Sequence, residues 1–229
     1  MLKVNNLTKQ YKGNIALGDA NVDIKEGHIY GVIGPNGAGK TTLFKMLAGL
    51  VKPTLGEIIV KSGEKIEDYR CNMGFMIENP YLYSGMTAMQ NMRIIGGIKG
   101  VTDEKRLKEV LELVGLGETG NKKVKQFSLG MKQRLGIACA LVSNPKILVL
   151  DEPMNGVDPE GVVDMRNFLL ELNEKHNITL LVSSHNLYEL ENISTDFVFI
   201  NKGKVVKSIS KSDMNISLEE YYMKEIVKR

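Results

Sequence analysis

The sequence has few cysteines and little net charge, and each of these absences excludes a class of protein. Two cysteines, Cys71 and Cys139, lie far apart without metal-type spacing. We therefore expect buried free thiols in a reducing cytosol, and neither a disulfide framework nor a cysteine-ligated metal site. The net charge is only +3, with basic and acidic residues interspersed. This charge pattern predicts no nucleic-acid partner and no binding to an anionic membrane surface.

Long apolar segments are absent as well. No uncharged apolar run approaches the roughly 18 residues that a membrane-spanning helix needs, and we expect no signal peptide at residues 1–6. If the chain serves a membrane process, the spanning part is expected to belong to another polypeptide. The sequence also lacks internal repeats, low-complexity tracts and a second phosphate loop. Its 229 residues, 43% of them hydrophobic, suit a single domain with a substantial core.

A glycine-rich segment carries the strongest chemical signal. The apolar run at 29–33 predicts a buried strand, which leads through G-P-N-G-A-G-K-T into a helical pattern. In that context the glycines turn backbone N–H groups onto phosphate oxygens, Lys40 reaches the terminal phosphates, and the Thr41 hydroxyl can bind Mg²⁺. The agreement of motif and context favours a nucleotide-phosphate site over a glycine-rich turn without a ligand. The predicted binding residues are Gly34, Pro35, Asn36, Gly37, Ala38, Gly39, Lys40, Thr41 and Thr42.

Three more apolar runs have the length and β-branched content of strands that are buried on both faces. They cover residues 73–77, 147–150 and 178–182. Each run ends in polar groups. Glu78 follows the first, Asp151 and Glu152 follow the second, and His185 comes shortly after the third. Because ligands of open α/β sheets bind beyond the carboxyl ends of the strands, we expect these residues to converge near Lys40.

The two acids after the second run suit metal-dependent phosphate chemistry. Asp151 directly follows a strand and fits a Mg²⁺ ligand, and Glu152 can act as the base that orients or deprotonates an attacking water. Capping of the next helix is the alternative role for both acids, although Pro153 indicates a loop rather than a helix start. His185 can equally be an ordinary hydrogen-bonded histidine, but its position at a strand end favours a role in the site.

A serine-containing turn, Q-F-S-L-G-M-K-Q-R-L, lies between the phosphate loop and the acidic strand end, with Ser128 placed to cap a helix. This order of phosphate loop, signature-like turn, acidic strand end and later histidine resembles the nucleotide-binding subunit of ABC transporters, over about residues 2–208. The resemblance implies an α/β fold of the P-loop NTPase type. That fold has a RecA-like core sheet, a small antiparallel β-subdomain and a helical subdomain.

The resemblance also implies roles for individual residues. Tyr11 matches the aromatic residue that stacks on adenine, with an ordinary half-buried tyrosine as the open alternative. Ser128 and Gly130 match the signature that contacts the γ-phosphate held by the opposite subunit. Residues 155–158 match the loop that crosses between subunits, and His185 matches the switch histidine on the γ-phosphate. The family binds ATP with Mg²⁺ and hydrolyses it in a head-to-tail homodimer, so the resemblance implies the same here.

The signature departs from the family pattern at two positions. Leu129 stands where glycine is usual, and Met131 stands where glutamine is usual. Ser128 and Gly130, the residues that must approach phosphate, are both present. The resemblance to an ATPase therefore holds despite the two departures.

We expect one ABC ATPase domain over residues 1–229. Its expected parts are a core with the β-subdomain at 1–78 and 144–210, a helical subdomain with the signature at 79–143, and a short helical tail at 211–229. We expect Thr102 to cap a helix in the helical part, Asp158 to cap the helix after the acidic strand, and Ser217 to begin the last helix.

Glu78 is the most distinctive departure, because most ABC subunits have glutamine at this strand end. A carboxylate near the γ-phosphate is repelled by about 4 kcal/mol at about 4 Å and an effective dielectric constant near 20. We therefore expect either that Mg²⁺ accepts Glu78 as a ligand, alongside Thr41 and Asp151, or that the loop swings away. The predicted catalytic residues are Glu152, His185, Lys40 and Glu78.

The stretch M-I-E-N-P-Y-L-Y around Glu78 resembles the ABC subunits that protect bacteria against lantibiotics and bacitracin. That resemblance implies export of a peptide through separate transmembrane permease subunits, from the cytoplasmic face of the membrane. Two alternatives remain open, an ABC-type sensor or regulatory complex and a mechanical regulator in translation or DNA repair. The apolar cluster Tyr81, Leu82, Tyr83 and Met86 is either an exposed contact surface for the permease or part of the core.

Overall fold

A single nine-stranded sheet organises residues 1–224, the part of the chain that the computed structural model describes. The strands are β1 (Leu2–Tyr11), β2 (Asn14–Ile24), β3 (Ile29–Ile33), β4 (Leu55–Val60), β5 (Met73–Met76), β6 (Ile147–Asp151), β7 (Thr179–Ser183), β8 (Asp196–Asn201) and β9 (Lys204–Ser210). Their spatial order is β4-β1-β2-β9-β8-β3-β7-β6-β5. The four runs predicted as buried strands are β3, β5, β6 and β7, so the predicted α/β class is confirmed.

The direction of the strands divides the sheet into two parts. Strands β8, β3, β7, β6 and β5 run parallel to one another, whereas β1 pairs antiparallel with both β2 and β4. Strand β9 links the parts, since it pairs antiparallel with β8 and parallel with β2. The carboxyl ends of the four central parallel strands therefore lie along one edge, where ligand sites of such sheets form.

The helices within residues 1–224 are α1 (Lys40–Leu47), α2 (Ile66–Tyr69), α3 (Ala88–Ile98), α4 (Glu104–Leu113), α5 (Leu129–Leu141), α6 (Pro159–Glu174), α7 (Leu187–Ile193) and α8 (Leu218–Tyr222). Short 3₁₀ turns cover Arg70–Asn72, Gly117–Thr119, Val124–Gln126 and Lys211–Asp213. No helix in this range is long and apolar enough to cross a bilayer.

Two hydrophobic cores lie on opposite faces of the sheet. Along β3, Ile29 and Ile33 belong to one core, whereas Tyr30 and Val32 belong to the other. This alternation follows from the two-residue period of a strand and explains why the run is apolar throughout. The first core includes residues of α3 to α8, and the second includes α1 and strands β1, β2 and β4.

Several predicted helix starts are correct. Ser128 caps α5 by accepting a hydrogen bond from the Met131 N–H, and Ser217 caps α8 by accepting one from the Glu220 N–H. Asp158 occupies the cap position of α6, although its side chain makes no capping hydrogen bond. The predicted tail at 211–229 includes α8, and its residues 225–229 lie outside the described part of the chain.

Two sequence expectations are wrong. Asp103 rather than Thr102 caps α4, because its carboxylate accepts a hydrogen bond from the Lys105 N–H. Cys71 is exposed rather than buried, since it lies in a short turn before β5, the edge strand of the sheet. Cys139 is half-buried on α5, and burial raises the pKa of its thiol to about 11. Both thiols are free.

Candidate nucleotide-binding site

A cavity of about 640 Å³ opens at the edge where the parallel strands end. It is lined by Ala16, Asn36, Gly37, Ala38, Gly39, Lys40, Thr41, Thr42, Glu78, Asn79, Gln133, Asp151, Glu152, Asn155 and His185. The predicted residues that follow β3, β5, β6 and β7 are therefore brought together around one cavity. This convergence follows from the parallel order of the four strands.

The glycine-rich loop between β3 and α1 forms one wall of the cavity. Gly39 has φ of +115° and lies so close to the backbone that an added Cβ would be 2.7 Å from the Ala16 carbonyl oxygen. Only glycine suits this position, because an L side chain would be both strained and blocked. The buried Lys40 ammonium donates hydrogen bonds to the carbonyl oxygens of Gly34 at 2.6 Å and Pro35 at 3.3 Å. The positive charge of Lys40 thus lies within the glycine-rich loop that the motif predicts to bind phosphate.

Asp151 is held between two hydroxyl groups. Thr41 Oγ1 donates to Asp151 Oδ2 at 2.7 Å, and Ser183 Oγ donates to Asp151 Oδ1 at 2.5 Å. The hydroxyl and the carboxylate are hard oxygen ligands on neighbouring elements, which fits Mg²⁺. Within residues 1–224 no group of three or more His, Cys, Asp or Glu side chains could hold a metal ion by itself.

Glu152 has different neighbours from Asp151 although the two residues are adjacent. Glu152 Oε2 lies 2.7 Å from His185 Nδ1, and Glu152 Oε1 lies 3.9 Å from Lys40 Nζ. The Glu152 backbone has a left-handed φ of +55°, which is uncommon for residues other than glycine. Its N–H donates to the Ser183 carbonyl and hydroxyl oxygens, which fixes this conformation. The carboxylate is therefore directed into the cavity toward His185.

Glu78 forms an ion pair that the sequence reasoning missed. Lys45 Nζ on α1 donates to Glu78 Oε1 at 2.6 Å, and this hydrogen bond raises the pKa of Lys45. The side chains are 33% and 55% exposed, so a pair of this kind contributes about 0.2–1 kcal/mol. Lys45 thus offsets the charge of Glu78 in this conformation, whereas the role of Glu78 as a Mg²⁺ ligand stays a prediction. The sequence does contain a signal that places Lys45 near the site, because Lys45 lies four residues after Thr41 and hence on the same helix face.

Gln133 lines the cavity and was also missed by the sequence reasoning. Its side chain is 3% exposed, and its Oε1 atom has no hydrogen-bond partner among the described residues. A buried amide without a partner costs about 1–3 kcal/mol. The residue lies one turn before Gly136 on α5, which packs closely against Met76 and Pro80. Gln133 therefore lies where α5 meets the segment that carries Glu78.

Five residues predicted to bind nucleotide are absent from this cavity lining, namely Tyr11, Gly34, Pro35, Ser128 and Gly130. Tyr11 is exposed, with Lys9 Nζ 5.0 Å from the centre of its ring. Ser128 and Gly130 lie at the start of α5 and do not line the cavity. This separation is the one expected if the signature serves the nucleotide of a second copy.

The two unusual signature residues both make apolar contacts. The partly exposed Leu129 lies against the 155–158 loop, since a Cβ added at Gly156 would be 2.8 Å from Leu129 Cδ2. Met131 packs against the first hydrophobic core.

The aromatic cluster after Pro80 is exposed rather than buried. Tyr81 is 92% exposed and Tyr83 is 53% exposed, while Leu82 packs against the core. The buried Asn91 holds this segment on α3, because its side chain both accepts from the Tyr83 N–H and donates to the Tyr83 carbonyl oxygen. The two tyrosine rings are thus displayed on a fixed backbone. This arrangement favours the predicted contact surface.

Known proteins similar to this chain are ATP-binding subunits. A family model described as ABC transporter matches residues 17–155. The lantibiotic transport ATP-binding protein SrtF of Streptococcus pyogenes is 41% identical over 227 residues, which cover 99% of this chain and 98% of that protein. The bacitracin transport ATP-binding protein BcrA of Bacillus licheniformis is 42% identical over 213 residues, which cover 91% of this chain and 69% of that protein.

Solved structures agree with these relatives. A dimeric ATP-binding cassette in a post-hydrolysis state, bound to ADP and Pi, matches with a TM-score of 0.81 and 29% identity. The match covers 92% of this chain and 98% of that chain. The P-loop NTPase fold predicted from the sequence is thereby confirmed. With its phosphate loop, acidic strand end and histidine around one cavity, the chain belongs to the ABC transporter family, as an ATP-binding and ATP-hydrolysing subunit.

Proposed function

We propose that this subunit powers the export of a lantibiotic or related antimicrobial peptide through separate transmembrane permease subunits, at the cytoplasmic face of the membrane. The observation that carries the proposal is the carboxylate of Glu78 at the end of β5, on the cavity wall and next to an exposed aromatic surface. The nearly full-length similarity to a lantibiotic transport subunit supports the same substrate class.

The side chains around the cavity suit ATP hydrolysis with Mg²⁺. Lys40 and the loop N–H groups bind the phosphates, and Thr41 with Asp151 would hold Mg²⁺, which neutralises phosphate charge when bound. Glu152 takes a proton from the attacking water or orients it. His185 holds the Glu152 carboxylate through the 2.7 Å contact and would contact the γ-phosphate.

A second copy of the chain would complete each site. Ser128 and Gly130 would approach the γ-phosphate bound to the other copy, with residues 155–158 crossing between the two. The position of the signature outside its own cavity supports this arrangement. The dimeric state of a similar cassette supports it as well. Two copies would then enclose two ATP molecules, one at each interface site.

Tyr81 and Tyr83 are proposed to contact the permease. They follow Glu78 by three and five residues, so a change at the end of β5 would reach this surface directly. Exposed aromatic side chains of this kind are enriched at interfaces between proteins. Glu78 would therefore link nucleotide state to the permease rather than perform the chemistry.

The substitution Glu78→Ala tests this function. We expect peptide protection in cells to fall by at least about fivefold, the lower range for coupling between linked sites, while the ATPase rate of the purified subunit changes much less. The measurements are growth with lantibiotics or bacitracin and phosphate release in vitro. Glu109→Ala, at an exposed site on α4, is the matched control and should leave both unchanged.

Two outcomes would contradict the proposal. Equal losses in both assays would assign Glu78 to the chemistry rather than to coupling. Unchanged peptide sensitivity after deletion of the whole subunit would instead favour a sensor or regulatory complex.

A further inference from the structure

The Lys45–Glu78 ion pair joins two elements that border the nucleotide cavity. Lys45 projects from α1, the helix that follows the phosphate loop, and Glu78 lies directly beyond β5. Their atoms Nζ and Oε1 are 2.6 Å apart. Glu78 lines the cavity, whereas Lys45 does not. The ion pair therefore holds the Glu78 carboxylate toward the outer rim of the cavity.

Lys45 lies beside the residues proposed to hold Mg²⁺. It follows Thr41 by one helical turn, so both side chains project from the same face of α1. The Thr41 hydroxyl donates to Asp151 at 2.7 Å.

The backbone around Glu78 is fixed more firmly than its side chain. Glu78 has a left-handed φ of +61°, and Pro80 packs so closely on α5 that a Cβ at Gly136 would be 2.6 Å from Pro80 Cβ. The Glu78 carboxylate, in contrast, is half exposed and has a single ion-pair partner among residues 1–224. The side chain can therefore exchange partners while the backbone stays in place.

We propose that Lys45 is a positioning residue that competes with a divalent metal ion for the Glu78 carboxylate. Without nucleotide, Lys45 holds the carboxylate at the rim of the cavity. When a nucleotide with its metal ion enters, the carboxylate leaves Lys45 for the metal, and the freed ammonium group faces the phosphates. This exchange connects occupancy of the cavity to the segment that leads to Tyr81, and it rests on the proposed role of Glu78.

A double-mutant cycle on metal dependence tests this competition. The variants are Lys45→Met, Glu78→Gln and the two combined, and the measurement is the Mg²⁺ concentration at half-maximal binding of a fluorescent ATP analogue. We expect Lys45→Met to lower the half-maximal Mg²⁺ concentration when Glu78 is present. This decrease should be about two- to fivefold larger than the change that Lys45→Met causes in the Glu78→Gln protein, the range given by an exposed ion pair. Direct Mn²⁺ binding in the presence of the analogue, followed by electron paramagnetic resonance, should shift in the same direction.

The cycle separates competition from a simple loss of charge. Removal of the Lys45 charge alters the attraction of phosphate equally in both backgrounds, so this effect cancels. Lys45→Arg should stay close to the wild type, because it keeps both the charge and the hydrogen bond. Lys105→Met removes another exposed lysine, which pairs with Glu109 on α4, and should not change the metal dependence. Thermal unfolding checks that each variant is folded.

Two results would overturn the proposal. An equal shift in both backgrounds would show that Lys45 acts on the phosphates rather than on Glu78. No shift in either background would show that the ion pair has no influence on metal binding. Neither result depends on peptide protection, so failure of the proposed export function and failure of this inference can be distinguished.

Discussion

At the residue scale, two adjacent acids have separate environments. Asp151 ends β6 with both oxygens accepting hydrogen bonds from hydroxyl groups, whereas Glu152 turns toward His185. Adjacent residues of an extended segment point in opposite directions, and the left-handed φ of Glu152 strengthens this divergence. Hydroxyl contacts hold a carboxylate in place as a ligand, and a contact with histidine suits transfer or orientation of protons. The proposal that Glu152 acts as the base rests on this difference.

Glu152→Gln should separate ATP binding from hydrolysis. The amide keeps the size of the side chain but cannot take a proton, so we expect the hydrolysis rate to fall by about 10²- to 10⁴-fold with binding largely kept. Phosphate release and binding of a fluorescent ATP analogue measure the two effects. Glu160→Gln, at an exposed site on α6, is the control. Hydrolysis by Glu152→Gln at the wild-type rate would remove this residue as the base.

Gln133→Met should increase stability and reduce activity together. Methionine has a similar volume and removes a buried oxygen that has no partner within residues 1–224, so the free energy of unfolding should rise by about 1 kcal/mol. We expect a slower ATPase rate if the amide finds its partner in the nucleotide-bound state. Urea unfolding without nucleotide and phosphate release test both. Lower stability of the variant would show that the amide already has a partner in the free protein.

The strand-end residues could be predicted because each lies next in sequence to the strand that positions it. Lys45 and Gln133 could not be identified in this way. Each is brought to the site through packing of a helix against elements distant in sequence, Gln133 at the cavity wall and Lys45 through its contact with Glu78. The helical spacing from Thr41 to Lys45 was a usable signal for one of them. Whether the Gln133 side-chain oxygen has a hydrogen-bond partner depends on the residues packed around it, and no local sequence pattern predicts that packing.

At the scale of elements, the four predicted parallel strands β3, β5, β6 and β7 were placed to within one residue at each end, whereas β8, which is parallel to β3, was not among the predictions. Strand β3 coincides with its predicted run, and β5 ends one residue earlier, because burial on both faces makes such strands continuously apolar. The α4 cap was misplaced by one residue, since Thr102 and Asp103 are both good caps and only the observed hydrogen bond to Lys105 distinguishes them. The exposure of Tyr81 was also undecidable from sequence, because it depends on how the segment after Pro80 lies on α3.

Gly136→Ala tests the contact between α5 and the end of β5. A Cβ at this position would be 2.6 Å from Pro80 Cβ and 2.8 Å from Met76 Sδ, so overpacking should lower the free energy of unfolding by about 1–3 kcal/mol. The matched control is Gly97→Ala on α3, where an added Cβ meets nothing within 4 Å. That control should raise stability by about 0.5–1 kcal/mol. Equal effects of the two substitutions in urea unfolding would contradict the close contact.

At the scale of the whole molecule, the proposed ATP site is divided between two parts of the chain. One half is the cavity with Lys40, Asp151 and Glu152, and the other is the signature turn at Ser128 and Gly130, outside that cavity. A single copy therefore has no signature residue among those that line its own cavity. In the proposed site a second copy supplies these residues, and ATP should hold the two copies together when hydrolysis is blocked.

The mass of Glu152→Gln in solution tests this requirement most directly. Light scattering during size-exclusion chromatography, with ATP and Mg²⁺, should give twice the 25.5 kDa of one chain. With ADP, or with Ser128→Arg added to block the signature, the mass should return to that of one chain. A single-chain mass at saturating ATP, with nucleotide shown to be bound, would contradict the shared ATP site.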